Sequence, residues 1–472
     1  MGNHMDVVIR GGTVVTADGR AECDVGIANG RISQLGGEMT TRSTLDARGA
    51  YVVPSAVDPH VHLCAPEVLA SETPEFVDDF YTGSLAAIGG GVGTIGQMSF
   101  PFADDESLRA AVSRDASAAG QEAAVDYFLH PGITDAGAET LEQISALASE
   151  GYSSLKLPML AFDWGARNLV EAVQRAADAG MLTMVHCEDE ALIRFCTARL
   201  EAQGRDGVEN YPLSRPDVTE RAAVERAIAI CELTGAQLDI VHLSSASALA
   251  VTRSATLRGL PVYVETRPMY LYLTDEVHSQ PDGGRFVGMP PLKKQADVDA
   301  LWAGLADGSI QTIGSDHAPW TLEQKTAPGL TVSTVPRGVP ELETFLPMLF
   351  TFGVLTGRIS LERMVAVTAT NAARLFGLYP KKGSISVGAD ADLVVLDPGK
   401  TRVIDGRTMH SKAGYSPYDG WEARGWPRFV LSRGDLVLSD DTVTASAGRG
   451  LEVPRGARLA PSPSPAYPVP AT

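Results

Sequence analysis

The sequence predicts an α/β protein: a closed parallel (β/α)8 barrel with a small β-sandwich built from both chain ends. Three observations predict this class. Eight short apolar segments alternate with helical stretches between about residue 52 and residue 378, ending in AVDPHVH, TIGQMSF, DYFLHPG, SSLKLPM, TMVHCED, DIVHLSS, VYVETRP and TIGSDHAP. Eight strands alternating with helices is what a closed parallel barrel requires. The first fifty residues, and those after 378, instead alternate apolar and polar residues between turn residues, the pattern of half-buried strands. Finally, six residues of metal-ligand type fall at the C-terminal ends of barrel segments: His60, His62, Lys156, His186, His242 and Asp316. A barrel brings those ends to one mouth, so residues far apart in the chain converge.

Taken in order, DVVIRGGTVVT, CDVGIANGRISQLG and TLDARGAYVVPS are strands separated by Gly, Asp and Asn turns. Within the barrel, GARNLVEAVQRAADAG and TERAAVERAIAICELTG space their apolar residues by three and four and end at glycine, as amphipathic helices do. After the helix in SLERMVAVTATNAARLFGL the β pattern returns in GSISVGADADLVVLDP and RFVLSRGDLVL. The simplest architecture pairs these late strands with the early ones. The expected division is an N-terminal contribution to the sandwich over 1–53, the barrel over 54–378, a C-terminal contribution to the sandwich over 379–455, and a Pro/Ser-rich tail over 456–472. The opening MGNHM reads as a cloning remnant before Met5, and His4 is set aside with it.

The chain has 472 residues, enough for one large barrel and a smaller domain. Its formal charge of −19 argues against nucleic-acid binding and against docking on anionic lipid. No apolar run has the length of a membrane span. Five cysteines form no CxxC pair, and with no secretion signal this composition fits a reducing cytoplasm.

The residue types point to hydrolytic metal chemistry. HVH on a strand puts His60 and His62 on one face, because side chains alternate with period two. Lys156 lies among Leu155, Leu157 and Pro158, where a charged ammonium is expensive to bury. Burial lowers its pKa and leaves an amine able to take up CO2; the resulting carbamate has two oxygens that can bridge two cations. His186 and His242 each end a hydrophobic run. Asp316 can both ligate and accept a proton from water acidified by metal, then pass it to a departing nitrogen. Two divalent metals follow, and zinc suits imidazole and carboxylate donors.

These residues, with VPSAVDPHVHL, GGGVGTI, VHCEDE, VHLSSASAL, MPPLK, GSDHAP, GVPELETFLP and KGSISVGADADLVVLD, resemble the amidohydrolase superfamily over nearly the whole chain. The nearest resemblance is to its cyclic amidohydrolases: dihydropyrimidinase, hydantoinase, allantoinase and dihydroorotase. The resemblance implies that His60, His62, Lys156 and Asp316 bind a more buried metal, and that Lys156, His186 and His242 bind a more exposed one. It implies N6-carboxylation of Lys156, a homotetramer or homodimer, and attack of a bridging hydroxide on a ring amide carbonyl of a small cyclic substrate.

Several substrate-reading positions depart from that family. The tyrosine expected five residues after the lysine is Ala161, beside Phe162; the dihydroorotase arginine after HxH is Cys64; the serine before the Pro-Pro pair is Met289. A donor to the oxyanion must come from elsewhere. Arg267, Tyr270 and Tyr272 are candidates, with a loop arginine and packing tyrosines as the other reading. Cys64, Arg267, Tyr270, Met289 and His317 are the residues expected near substrate, while His130 and His317 also suit hydrogen bonds behind the site. A hydantoinase- or dihydropyrimidinase-like hydrolase leads. Allantoinase- or dihydroorotase-like activity, a ring-closing role and a non-catalytic scaffold are the alternatives, and retention of all six ligand-type residues counts against the scaffold.

Overall fold

The computed structural model describes residues 4–71, 76–103, 106–160 and 165–461, with backbone alone at 165 and 166. The eight expected barrel segments are strands β1 (Ala56–Val61), β2 (Val92–Ser99), β3 (Asp126–Pro131), β4 (Ser154–Pro158), β5 (Leu182–His186), β6 (Gln237–Ile240), β7 (Val262–Thr266) and β8 (Thr312–Ile313). They pair in parallel as two ladders, β1 to β3 and β4 to β8. Two seams join the ladders into a closed barrel. At one, the Ile133 N–H donates to the Lys156 carbonyl at 3.0 Å; at the other, the His62 N–H donates to the His317 carbonyl at 2.8 Å. Every residue of β1, β2, β3 and β5 is buried, because helices cover the outer face of a parallel sheet.

Helices start where the sequence supplies caps. Asp79, Ser107, Asp189 and Ser245 accept from the N–H groups of Thr82, Ala110, Leu192 and Ala248 and open helices Phe80–Gly89, Leu108–Glu122, Glu190–Ala202 and Ala246–Leu257. Helix Asp217–Thr234 ends at Gly235, whose φ of 71° fits the left-handed cap.

The sandwich is built as expected from both chain ends. Leu393–Val403 runs antiparallel to Tyr51–Pro54 inside a seven-stranded sheet, and Glu422–Ser432 pairs on its other side. A four-stranded sheet (Val7–Arg10, Val25–Ala28, Arg31–Leu35, Thr44–Asp46) packs against it. The hairpin between Val25–Ala28 and Arg31–Leu35 turns at Asn29–Gly30, both at positive φ, the sequence such a two-residue turn demands. Strand alternation divides the apolar side chains. Val52, Leu393 and Val395 join Ile9, Val25 and Ile27 in the sandwich core, while Val53, Val394 and Leu396 join the barrel core.

One buried ion cluster ties sandwich and barrel together. Lys382 Nζ lies 2.6 Å from Asp126 at the start of β3, 2.9 Å from Asp390 and 2.5 Å from Asp392. Arg433 also pairs with Asp126, and its N–H donates to Asp392 at 2.6 Å. The tail expected from residue 456 is described only to residue 461, and that stretch lies along the foot of the barrel: Arg458 donates to the Ser153 carbonyl and to Gln237. Among the described residues no helix is long and apolar enough to cross a membrane.

Candidate metal centre

The six ligand-type residues converge at the barrel mouth. The ligand atoms of His60, His62 and Asp316 all lie within 4.8 Å of one another. Asp316 Oδ1 is 3.3 Å from His60 Nε2 and 3.2 Å from His62 Nε2. Lys156 Nζ is 3.2 Å from His60 Nε2. The His242 ring stands 5.4 Å from that of His60 and 4.5 Å from that of His186, centre to centre, so one chain of contacts links all six.

They reach the mouth from different depths. His60 lies in β1 and His186 ends β5. Lys156 is the central residue of β4 rather than its last, and its long side chain spans the difference. His242 and Asp316 lie two and three residues beyond β6 and β8. Both adopt left-handed backbone, with φ of 39° and 49°, at a cost of about 1–2 kcal/mol each for residues with a Cβ. Such strain persists only where neighbours enforce it.

Carboxylates absent from the expected set hold the imidazoles. Glu265, at the end of β7 and wholly buried, accepts from His60 Nδ1 at 2.9 Å and from the His242 N–H at 3.2 Å. That leaves His60 Nε2 as the nitrogen with a lone pair facing Lys156 and Asp316. Glu188 accepts from His186 Nε2 at 2.9 Å and is paired with Arg215 at 2.7 Å. Asp58 Oδ1 accepts from the N–H groups of His60 and Ser315, at 3.1 and 3.0 Å, and so pins β1 to the segment after β8. A Cβ on Gly314 would stand 2.6 Å from Glu265 Oε2 and 3.0 Å from His60 Cβ; this close approach requires glycine.

Burial keeps three of the imidazoles neutral: it pushes His60 and His242 well below the usual histidine range, and His186 below it against the pull of Glu188. Burial also lowers Lys156 to about 8, opposed by Asp316, Glu265 and Asp239. The Asp316 carboxyl is buried, yet the Arg267 guanidinium, helped by a hydrogen bond with His62, holds it below the usual carboxylate range. Three neutral imidazoles, an ionised carboxylate and a lysine whose pKa burial lowers form, with His62, a donor set suited to divalent metal. His242 Nδ1 is buried with no hydrogen-bond partner, an exception to the rule for buried polar atoms that a cation at this site would account for.

The residues expected to face substrate are placed differently from one another. Arg267 is fully buried; its Nη1 donates to Asp316 Oδ2 at 2.7 Å, Nε and Nη2 donate to Glu341, and Nη2 also reaches the Asp316 carbonyl at 3.4 Å. Tyr270 donates to the Pro290 carbonyl at 2.5 Å beneath the Arg267 guanidinium, and Met289 precedes that proline. Tyr272 packs on Trp302, Phe352 and Tyr418. His317 Nε2 donates to Asp78 at 3.0 Å, and its Nδ1 accepts from the Glu341 N–H at 3.1 Å. His130 is held by Ser154 below Lys156. Cys64 is buried in the loop after β1, and its N–H donates to the Asp78 carbonyl. The ring of Phe76, which no sequence motif singles out, stands 5.4 Å from that of His62. Ala161 and Phe162 lie outside the described residues.

The chain is similar to known proteins over nearly its whole length. Residues 51–437 match the model of the amidohydrolase family. A D-phenylhydantoinase of Escherichia coli O1:K1 is 37% identical over 454 residues, covering 94% of this chain and 97% of that protein. The crystal structure of dihydropyrimidinase from Brevibacillus agri superposes with a TM-score of 0.92 at 35% identity, covering 97% of this chain and all of that one. An L-hydantoinase (dihydropyrimidinase) from Arthrobacter aurescens superposes with a TM-score of 0.88 at 31% identity, over 96% and 100% of the two chains. The chain therefore belongs to the amidohydrolase family, in its hydantoinase and dihydropyrimidinase branch.

Proposed function

We propose that this protein is a metal-dependent hydrolase that opens the ring of a small cyclic amide, imide or ureide. The observation that carries this reading is the convergence of four imidazoles, one buried lysine and one ionised carboxylate at a barrel mouth. His60, His62, Lys156 and Asp316 would hold one divalent cation, and Lys156, His186 and His242 a second. Lys156 would bridge them as its CO2-derived carbamate, and zinc suits the donor set. When bound, such cations acidify water to near-neutral pKa and polarise a carbonyl oxygen.

The chain's own residues do the rest. Glu265 and Glu188 fix the tautomer and tilt of His60 and His186. The Asp316 carboxylate takes the proton of the attacking water as a C–O bond forms at the ring carbonyl. It returns that proton to the ring nitrogen as the C–N bond breaks, leaving a ring-opened acid. Arg267 occupies one lone pair of Asp316 Oδ2, and a carboxylate oxygen has a second. A homotetramer or homodimer and a cytoplasmic site are the accompanying proposals; the second is supported by five cysteines with no disulfide among them.

The test is steady-state turnover by zinc-loaded protein prepared with bicarbonate. Hydantoin or dihydrouracil is expected to be opened. Efficient turnover of allantoin or dihydroorotate alone would move the assignment to those activities, and no bound metal would overturn it.

A further inference from the structure

We infer that Arg267 is a positioning residue, a buried guanidinium that locks the Asp316 carboxylate in its working orientation. The inference rests on the metal-dependent reading above and goes beyond it, because neither the ligand set nor the chemistry requires an arginine here.

Four observations carry it. Arg267 is wholly buried and spans two carboxylates. Nη1 donates to Asp316 Oδ2 at 2.7 Å, while Nε and Nη2 both donate to Glu341 Oε2, at 3.0 and 2.8 Å. The far end is itself anchored, since the Tyr418 hydroxyl donates to Glu341 Oε1. The circuit also closes on itself: the Glu341 N–H donates to Nδ1 of His317, the residue after Asp316. Arg267 therefore grips the side chain of Asp316 while Glu341 grips its neighbour. Lastly, Asp316 has left-handed backbone that its neighbours must enforce, and this circuit surrounds it.

The arrangement also says what Arg267 does not do. A Cβ on Gly288 would stand 3.1 Å from Arg267 Nη1, so the segment before Met289 passes directly over the guanidinium. With no exposed surface and its donors turned to protein, Arg267 orients Asp316 Oδ1 toward His60 and His62 rather than reaching substrate. A lysine could not substitute, because a single ammonium lacks the planar fork that holds two carboxylates at fixed angles.

The experiment compares wild type with R267K, E341Q and the paired variant R267M/E341Q, which avoids leaving Glu341 charged and unpartnered. Cobalt(II) affinity is measured by chelator competition, the cobalt absorption spectrum is recorded, and kcat and KM are measured separately. In the paired variant we expect cobalt affinity to fall about 10–100-fold, a changed spectrum, kcat down by roughly 10²-fold and KM nearly unchanged. R267K is expected to fall between it and wild type. If the paired variant does not fold, E341Q alone decides, with a smaller loss in the same direction. Unchanged affinity and kcat in the folded variant would overturn the inference, as would a rise in KM with kcat intact, which would make Arg267 a substrate contact. Failure of wild type to open any cyclic amide would overturn the proposed function instead, while the affinity difference would still report on the lock.

Discussion

Among the described residues, two places bring three ligand-type side chains within 4.8 Å: His60, His62 and Asp316 at the barrel mouth, and Asp126, Asp390 and Asp392 at its foot. By proximity alone they are equivalent. They differ in what the chain supplies as counter-charge. At the foot, Lys382 touches all three carboxylates and Arg433 a further oxygen, so the positive charge is built in. At the mouth, Arg267 pairs with Asp316 Oδ2 and leaves Oδ1 toward His60 and His62, while burial keeps His60 and His242 neutral and lowers Lys156 to about 8. The lower cluster is complete, and the upper one is arranged for a cation from solution. A metal site is recognised less by how close its ligands stand than by whether lone pairs are left that the protein's own cations do not occupy.

That contrast can be broken at either end. The largest effect is expected for Asp316→Asn, with kcat falling by about 10³–10⁴-fold while circular dichroism and melting stay close to wild type. Next comes Lys382→Ala, which removes the one cation shared by three buried carboxylates and should cost about 3–5 kcal/mol in urea denaturation. Metal content and kcat per folded molecule should not change. Recovery of the lost stability on adding a divalent cation would show that only the lysine keeps metal out of the foot. Lys156→Ala should lower metal content measured by elemental analysis and reduce kcat by at least about 10²-fold; unchanged activity would remove the case for a carbamate bridge. The smallest effect concerns His410, whose Nδ1 donates to Glu343 at 2.9 Å and whose pKa that carboxylate raises above the ordinary 6.5. The added stability is fully present below about pH 6.5 and is lost as pH rises through the higher folded value. His410→Gln should remove this pH dependence, on the order of 0.5 kcal/mol for a partly exposed pair, and leave metal binding unaffected.

Much of this was legible in the sequence because strands and ligands carry local marks. Each barrel strand is a short apolar run, and His60, His62, Lys156, His186, His242 and Asp316 stand out against such runs. The supporting carboxylates carried weaker marks. Glu265 in VYVETRP and Glu188 in VHCEDE sit at strand ends within segments already singled out, and an acid there is as conspicuous as a histidine. Their partners could not be read, because Glu265 holds a histidine 205 residues away and Arg267 reaches a glutamate 74 residues away. Such pairings depend on barrel closure, not on local pattern. The same holds for Arg267. From its place after β7 it was a candidate donor to substrate, with a loop arginine as the other reading; buried between Glu341 and Asp316, it is committed to protein.

The seam between the first and last strands has a consequence for how the molecule is made. Asp58 and the His62–His317 backbone bond join β1 to the segment bearing Asp316, and β1 is separated from that segment by the rest of the barrel. During synthesis the early histidines leave the ribosome long before their aspartate exists. The strand Tyr51–Pro54 likewise waits for Leu393–Val403 before its edge is covered. A growing chain thus has no finished pocket until the segment bearing Asp316 has emerged, and the six ligand-type residues come together only late in synthesis.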